Sequence, residues 1–278
     1  MIIVILAIFG LILGSFVNAF VWRLHEQETL LAKKHPDKKQ LNKLSIMHGR
    51  SMCPNCHHEL AAKDLVPLLS WIGLGGKCRY CKKLISWQYP LVELVTALVF
   101  AGSYLYWPLA LHGAGLVQFG FWLFFVVAFM ALAVYDLRWL LLPNRIVYPL
   151  IVIAFIEAGV VADMGHSPMV FVNSVLGAFV ISGLFYLLFQ VSGGSWIGGG
   201  DVKLAVVLGL LAGTPLKALL LLFFASLVGT IVGVPLSFKA RKGLKLRVPF
   251  GPFLLIATLI AVLFGSSMID WYTRTLLG

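Results

Sequence analysis

The sequence predicts an all-α polytopic membrane protein of about eight transmembrane helices. Of its 278 residues, 60% are apolar and only 12% are charged, where a water-soluble domain carries about 25% charged residues. The mean hydropathy is +0.94, which is more apolar surface than one core of this length hides from water. The apolar residues fall in discrete runs, and Lys and Arg gather in the loops at one side of those runs. Soluble globular, disordered, collagen-like and disulfide-scaffold classes are excluded.

Taken in order, the runs lie at about 2–22, 90–107, 116–135, 145–162, 170–190, 202–213, 216–236 and 250–272. Most have the ~17–25 residues that cross ~30 Å of hydrocarbon. The first has no Lys or Arg before Arg23 and is longer than the apolar core of a secretory signal, so it reads as a retained helix. The sixth, 202–213, spans only about 18 Å at ~1.5 Å per residue, too short to cross. One polar piece interrupts the pattern. The expected organisation is a first transmembrane helix at 1–22, a cytoplasmic loop domain at 23–88 and a seven-helix membrane domain at 89–278.

Lys and Arg number 22 against 11 Asp and Glu, a balance that on a soluble domain suggests nucleic acid. Their positions decide otherwise. The segment 23–88 holds twelve of them, Arg138 and Arg145 flank the turn after the third span, and Lys203 opens the sixth. Lys239, Arg241, Lys242, Lys245 and Arg247 follow the seventh, and only Lys217 and Arg274 fall on the other side. Cytoplasmic loops are enriched in Lys and Arg. The charge is therefore a topology signal: the N-terminus lies outside, the large loops are cytoplasmic, and the partner is the lipid bilayer, with no nucleic acid.

All four cysteines sit in the polar loop, as Cys53-Pro-Asn-Cys56 and Cys78-Arg-Tyr-Cys81. Two such knuckles read as a four-thiolate zinc site, closed and therefore structural. The alternatives are two disulfides, disfavoured in a reducing compartment, or four unliganded thiols. His57 and His58 follow the first knuckle as substitute ligands or as exposed residues.

Ionisable side chains within apolar spans are costly and mark function by default. Glu93, Asp136, Glu157, Asp201 and Asp270 qualify, with Asp163 just past a helix end. No H-E-x-x-H or G-x-S-x-G is present, which argues against zinc-protease and serine chemistry. If the third helix runs to Leu142 before Pro143, Asp136 lies roughly 9 Å inside its end. Asp201 opens the short sixth span behind Gly198-Gly199-Gly200, an irregular entry tolerated only beside a wet cavity. Both then sit at one shallow cytoplasmic depth. Two close carboxylates share a proton, one activating water while the other polarises a peptide carbonyl. Read singly, each aspartate is equally a solvated helix cap, and Lys203 a snorkelling side chain.

Gly198-Gly199-Gly200-Asp201 resembles the G-x-G-D signature of intramembrane aspartyl proteases. The rest resembles the bacterial type IV prepilin peptidase family, also called leader peptidase/N-methyltransferase. Gly14-Ser15-Phe16-Val17-Asn18 with Trp22-Arg23-Leu24 is similar to that family's first helix. The double C-x₂-C loop with Ser70-Trp71, and Ile85-Ser86 leading into Tyr89-Pro90-Leu91-Val92-Glu93, are similar too. So are Asp136 with Pro143-Asn144, Gly200-Asp201-Val202-Lys203 and Phe250-Gly251-Pro252-Phe253-Leu254. The order is kept from Gly14 to about Leu254. Two departures are a longer, Lys-rich 25–50 stretch and Asn144 where an acidic residue is often found.

The resemblance implies Asp136 and Asp201 as catalytic aspartates, with Gly198, Gly200 and Lys203 in the supporting active-site loop. It implies a multi-pass protein of the bacterial inner membrane that cuts the basic leader from type IV prepilins or pseudopilins. It further implies methylation of the new N-terminal amine from S-adenosylmethionine. Gly76 and Lys77 stand where that function is usually placed, with Glu93 a further acidic group near the leader, though a turn glycine, a solvated lysine and a packing carboxylate read as well. Which machine is served, whether type IV pilus, type II secretion or competence, is not legible. Two rival classes remain: a transporter using Asp136 and Asp201 as a proton or cation relay, and a non-catalytic secretion-assembly platform.

Overall fold

The computed structural model describes residues 1–33, 37–46, 49–239 and 248–276. Lys34, Arg241, Lys242, Lys245 and Arg247 of the charge count lie outside them. The described residues form helices and loops with no β-strand, only two isolated bridges. In chain order the helices are α1 (Ile2–Leu31), α2 (Lys38–Lys43), α3 (Leu69–Gly73), α4 (Gln88–Leu105) and α5 (Gly113–Trp139). They continue as α6 (Asn144–Met164), α7 (Pro168–Ser192), α8 (Gly199–Ala212), α9 (Pro215–Lys239) and α10 (Gly251–Leu276).

A helix stands at each of the eight apolar runs, and among the described residues six are long and apolar enough to cross a membrane: α1, α5, α6, α7, α9 and α10. The helices at the other two runs, α4 and α8, fall short of that hydropathy or length. Helix α8 has 14 residues, about 21 Å of rise. Helix α4 has 18, and Gln88, Pro90 and Glu93 dilute its apolar run. Helix α1 continues past Trp22, where the apolar run ends, to Leu31 without a Gly or Pro to stop it.

The chain divides into two compact units, Met1–Leu105 and Tyr106–Gly278. In the first, α1 lies against α4. A Cβ on Gly10 would come within 2.6 Å of the Ala97 Cα, and one on Gly14 within 2.7 Å of the Glu93 Cα. Glycines four apart let two backbones approach this closely, the small-residue packing that joins helices in lipid. Asn18 completes the seam, its amide donating to the Tyr89 carbonyl at 3.1 Å and its oxygen accepting from Gln88 at 3.3 Å.

In the second unit the short α8 packs against α6, α7, α9 and α10. Leu204, Ala205, Val207, Leu208, Gly209, Leu210 and Ala212 are all buried. Gly209 meets the backbone of Ala178 and Gly177 on α7, so the two axes come close without side chains between them. This short helix is thus enclosed by its neighbours.

Candidate active site and metal centre

Asp136 lies in the last turn of α5 and is 5% exposed. The helix does not reach Leu142. It stops at Trp139 because Leu140 turns left-handed at φ 54°, its N–H still bonded to the Asp136 carbonyl at 2.8 Å. Asp136 therefore sits about 4.5 Å from the helix end rather than 9 Å, and Leu141 and Leu142 continue as non-helical chain. Pro143 then caps α6. Its fixed φ and missing N–H suit that place.

Asp201 is the third residue of α8, whose N-cap is Gly198. The Gly198 N–H donates back to the Asp201 carboxylate, which is half of a capping box made with a glycine cap. A Cβ on Gly200 would lie 3.0 Å from the Leu142 Cβ. The glycine run thus lets the start of α8 close on the stretch of chain that leaves Asp136. Lys203 Nζ donates to Asn144 Oδ1 at 3.0 Å and lies 5.1 Å from the Tyr148 ring centroid. The two carboxylates are near enough for their charges to interact. The structure thereby brings Asp136, Asp201, Gly198, Gly200 and Lys203 into one region. Gly251 has no role of its own in the sequence analysis, yet its N–H donates to Asp136 Oδ2 at 3.0 Å. Its sequence signal was no more than a glycine–proline pair in the motif that opens the last apolar run.

The loop in the first unit is built from two like knuckles. Cys53 N–H bonds the His58 carbonyl and His57 N–H bonds the Cys53 carbonyl; Cys78 with Lys83, and Lys82 with Cys78, repeat the pair. His57 and Lys82 take the same left-handed φ, 55° and 59°. The Sγ atoms of Cys53, Cys56, Cys78 and Cys81 all lie within 4.8 Å of one another, with Cys53 and Cys81 at 3.9 Å. A tetrahedral zinc with ~2.3 Å bonds has sulfur–sulfur edges of about 3.8 Å, so these residues fit the metal. Neither histidine belongs to the cluster; His58 stacks on Tyr80 at 3.7 Å.

The knuckles are braced from outside the cluster. Arg79 Nε lies 2.7 Å from Asp64 Oδ1, and the Tyr80 hydroxyl donates to Oδ2 at 3.2 Å. Burial alone would raise the Asp64 carboxyl; the Arg79 guanidinium, with the Ala61 N–H and the Tyr80 hydroxyl, holds it below the usual carboxylate range. Burial pushes the Cys53 thiol up to about 11. Burial acts upward on Cys78 too, but N–H groups of Cys81 and Tyr80 and the neighbouring thiols bring it down to about 7.

Gly76 is buried at φ +68° with its Cα face against Trp71, while Lys77 is exposed. Glu93 is buried on α4 and accepts the Leu68 N–H at 2.8 Å. Leu68 itself holds φ 58° at the start of α3, so the carboxylate fixes a strained entry to the segment leading to Gly76. These three residues belong to the first unit.

The chain matches the model of the bacterial peptidase A24 N-terminal domain over residues 8–107 and that of the type IV leader peptidase family over 122–234. It is 32% identical to a prepilin leader peptidase/N-methyltransferase of Aeromonas salmonicida, covering 97% of this chain and 93% of that protein. A protein of the same name in Pseudomonas aeruginosa is 34% identical, covering 96% and 91%. One in Bacillus subtilis is 32% identical over 99% of both. No solved structure matches.

Proposed function

The chain belongs to the type IV leader peptidase family, and from that premise we propose an aspartic endopeptidase acting on type IV prepilins or pseudopilins in the bacterial inner membrane. The reading is carried by the meeting of Asp136 and Asp201, each on a helix end. One carboxylate takes a proton from water, whose oxygen attacks the scissile carbonyl carbon. The other gives its proton to the carbonyl oxygen. When the tetrahedral intermediate collapses, the C–N bond breaks and the leaving amine takes up a proton. Positioned acid–base groups contribute about 10²–10⁴-fold each to such steps. Gly198, Gly200 and Lys203 hold the arrangement through the contacts already described.

The N-terminus faces outward and 23–88 lies in the cytoplasm in this reading, with 1–22 as anchor and 89–278 as the catalytic membrane domain. A basic leader stays on the cytoplasmic side while its apolar helix enters the bilayer, which delivers the scissile bond near the ends of α5 and α8. The same protein methylates the new N-terminal amine. S-adenosylmethionine, when bound, supplies an electrophilic methyl group. Lys77 is exposed to meet a ligand, and Gly76 makes the left-handed turn under Trp71 from which Lys77 emerges; Glu93 positions the segment that carries them. Zinc would tie the four cysteines together and leave the aspartates to the chemistry.

The test is cleavage of a purified prepilin by the parent protein and by Asp136→Asn and Asp201→Asn. Each substitution is expected to lower the rate by about 10²–10⁴-fold while membrane insertion is unchanged. Substantial cleavage by either variant removes the paired mechanism. An inactive parent leaves the relay or platform classes standing.

A further inference from the structure

Asp136 has an electrostatic problem that Asp201 does not share. Asp201 lies in the first turn of its helix and is capped by its own N-cap N–H. Asp136 lies in the last turn of α5, at the negative end of that helix's dipole, where a carboxylate is disfavoured. It has to draw a donor from elsewhere. The donor is Gly251, the first residue of the 26-residue α10, whose N–H meets Asp136 Oδ2 at 3.0 Å in a buried contact.

The first N–H groups of a helix have no partner inside it, so this one is free to be given away. Pro252 follows and has no N–H to offer, leaving Gly251 as the donor of that first pair of residues. The approach also depends on the missing side chain. A Cβ at 251 would stand 2.6 Å from Asp136 Oδ2 and 3.3 Å from its Cγ, closer than atoms pack, and the carboxylate would have to move. We propose that Gly251 is a positioning residue for leader cleavage: its backbone N–H holds one oxygen of Asp136, leaving the other to face water and substrate. This rests on the paired-aspartate reading above.

The experiment compares parent, Gly251→Ala and Asp136→Asn proteins on a full-length prepilin, with kcat and KM measured separately. A further variant exchanges Gly251 for glycolic acid, so that an ester oxygen replaces the N–H and the shape is kept. Both 251 variants are expected to lose roughly 10- to 100-fold in kcat, the worth of a hydrogen bond to a charged group, with KM within about twofold. A glycolic acid variant as active as the parent would overturn the proposal. So would losses in which KM and the thermal midpoint change in step with kcat, the pattern of a purely structural glycine.

Hydrogen exchange of the Gly251 amide, followed in protein labelled with ¹⁵N-glycine, reads the bond without any turnover. It is expected to speed up in Asp136→Ala, and an unchanged rate would count against the bond. Cleavage by Asp136→Asn at the parent rate would instead defeat the paired-aspartate reading, and a role for Gly251 in cleavage would fall with it.

Discussion

Cys53 and Cys78 are two residues of one cluster with opposite proton habits. Cys53 holds its proton to about 11, whereas Cys78 gives its proton up near 7. A metal takes thiolates, so binding must expel whatever protons remain. Between pH 7 and 11 the proton on Cys53 is still there to be displaced, and below 7 that on Cys78 joins it. Zinc affinity should therefore rise with pH, by at least about tenfold per unit above pH 7 from the Cys53 proton alone and more steeply below. Competition against a chromophoric chelator from pH 6 to 8.5 measures this, and a flat profile would show that the thiols are not the ligands. Asp64 is the residue behind them. Its side chain is 3% exposed and engaged by Arg79, so its lowered carboxyl contributes stability above its unfolded pKa that is lost as pH falls through the folded value. Asp64→Asn should weaken the loop at pH 7 by about 1–3 kcal/mol, read as a lower thermal midpoint of the zinc-loaded protein.

Helices meet here through glycine, and the α1–α4 seam shows what that costs to disturb. A Cβ at Gly14 would strike the Glu93 Cα at 2.7 Å and the Val92 carbonyl at 3.0 Å, both backbone. Gly102 on the same α4 has nothing within 4 Å. Gly14→Ala should destabilise by about 1–3 kcal/mol through overpacking. Gly102→Ala should be neutral or gain a few tenths to 1 kcal/mol from the lost freedom of the unfolded chain. Thermal unfolding in detergent separates the two, and equal midpoints would mean the seam is looser than it looks. The sequence reading found Gly14 and Asn18 as members of a motif, but only the structure says that one clears the way for Glu93 and the other bonds Tyr89. The positions of the eight helices were legible because an apolar run in lipid has few other conformations open to it. Their ends were not: Leu140 is as apolar as its neighbours, and nothing local marks it as the left-handed stop. The same limit hid the role of Gly251, since a backbone donor leaves no trace in side-chain chemistry. Asp136, Asp201 and the four cysteines stood out as candidates in the sequence because ionisable groups are rare inside apolar runs and paired C-x₂-C knuckles have few other readings.

At the scale of the whole molecule, the residues proposed for the two activities fall in different units. Gly76, Lys77, Glu93 and the cysteines lie within Met1–Leu105, and Asp136 and Asp201 within Tyr106–Gly278. Each set is held by contacts inside its own unit, so the activities should separate under substitution. Lys77→Ala removes an exposed side chain and touches no cysteine. The knuckles should keep their fold, leader cleavage should continue within about twofold of the parent, and methylation should fall by roughly tenfold or more, the scale of a lost charged contact. Cys78→Ser acts more widely. Loss of one ligand opens the cluster, and structural metal binding is itself folding free energy, so the loop should lose zinc and methylation together. Cleavage by Cys78→Ser tells how far the second unit depends on the first. Mass spectrometry of the processed substrate resolves the outcomes in one measurement, because leader loss and an added methyl are distinct mass changes. Methylation at the parent level in Lys77→Ala would make that lysine a solvated loop residue. A parent that cleaves and never adds a methyl would remove the second activity from this protein while leaving the aspartate pair untouched.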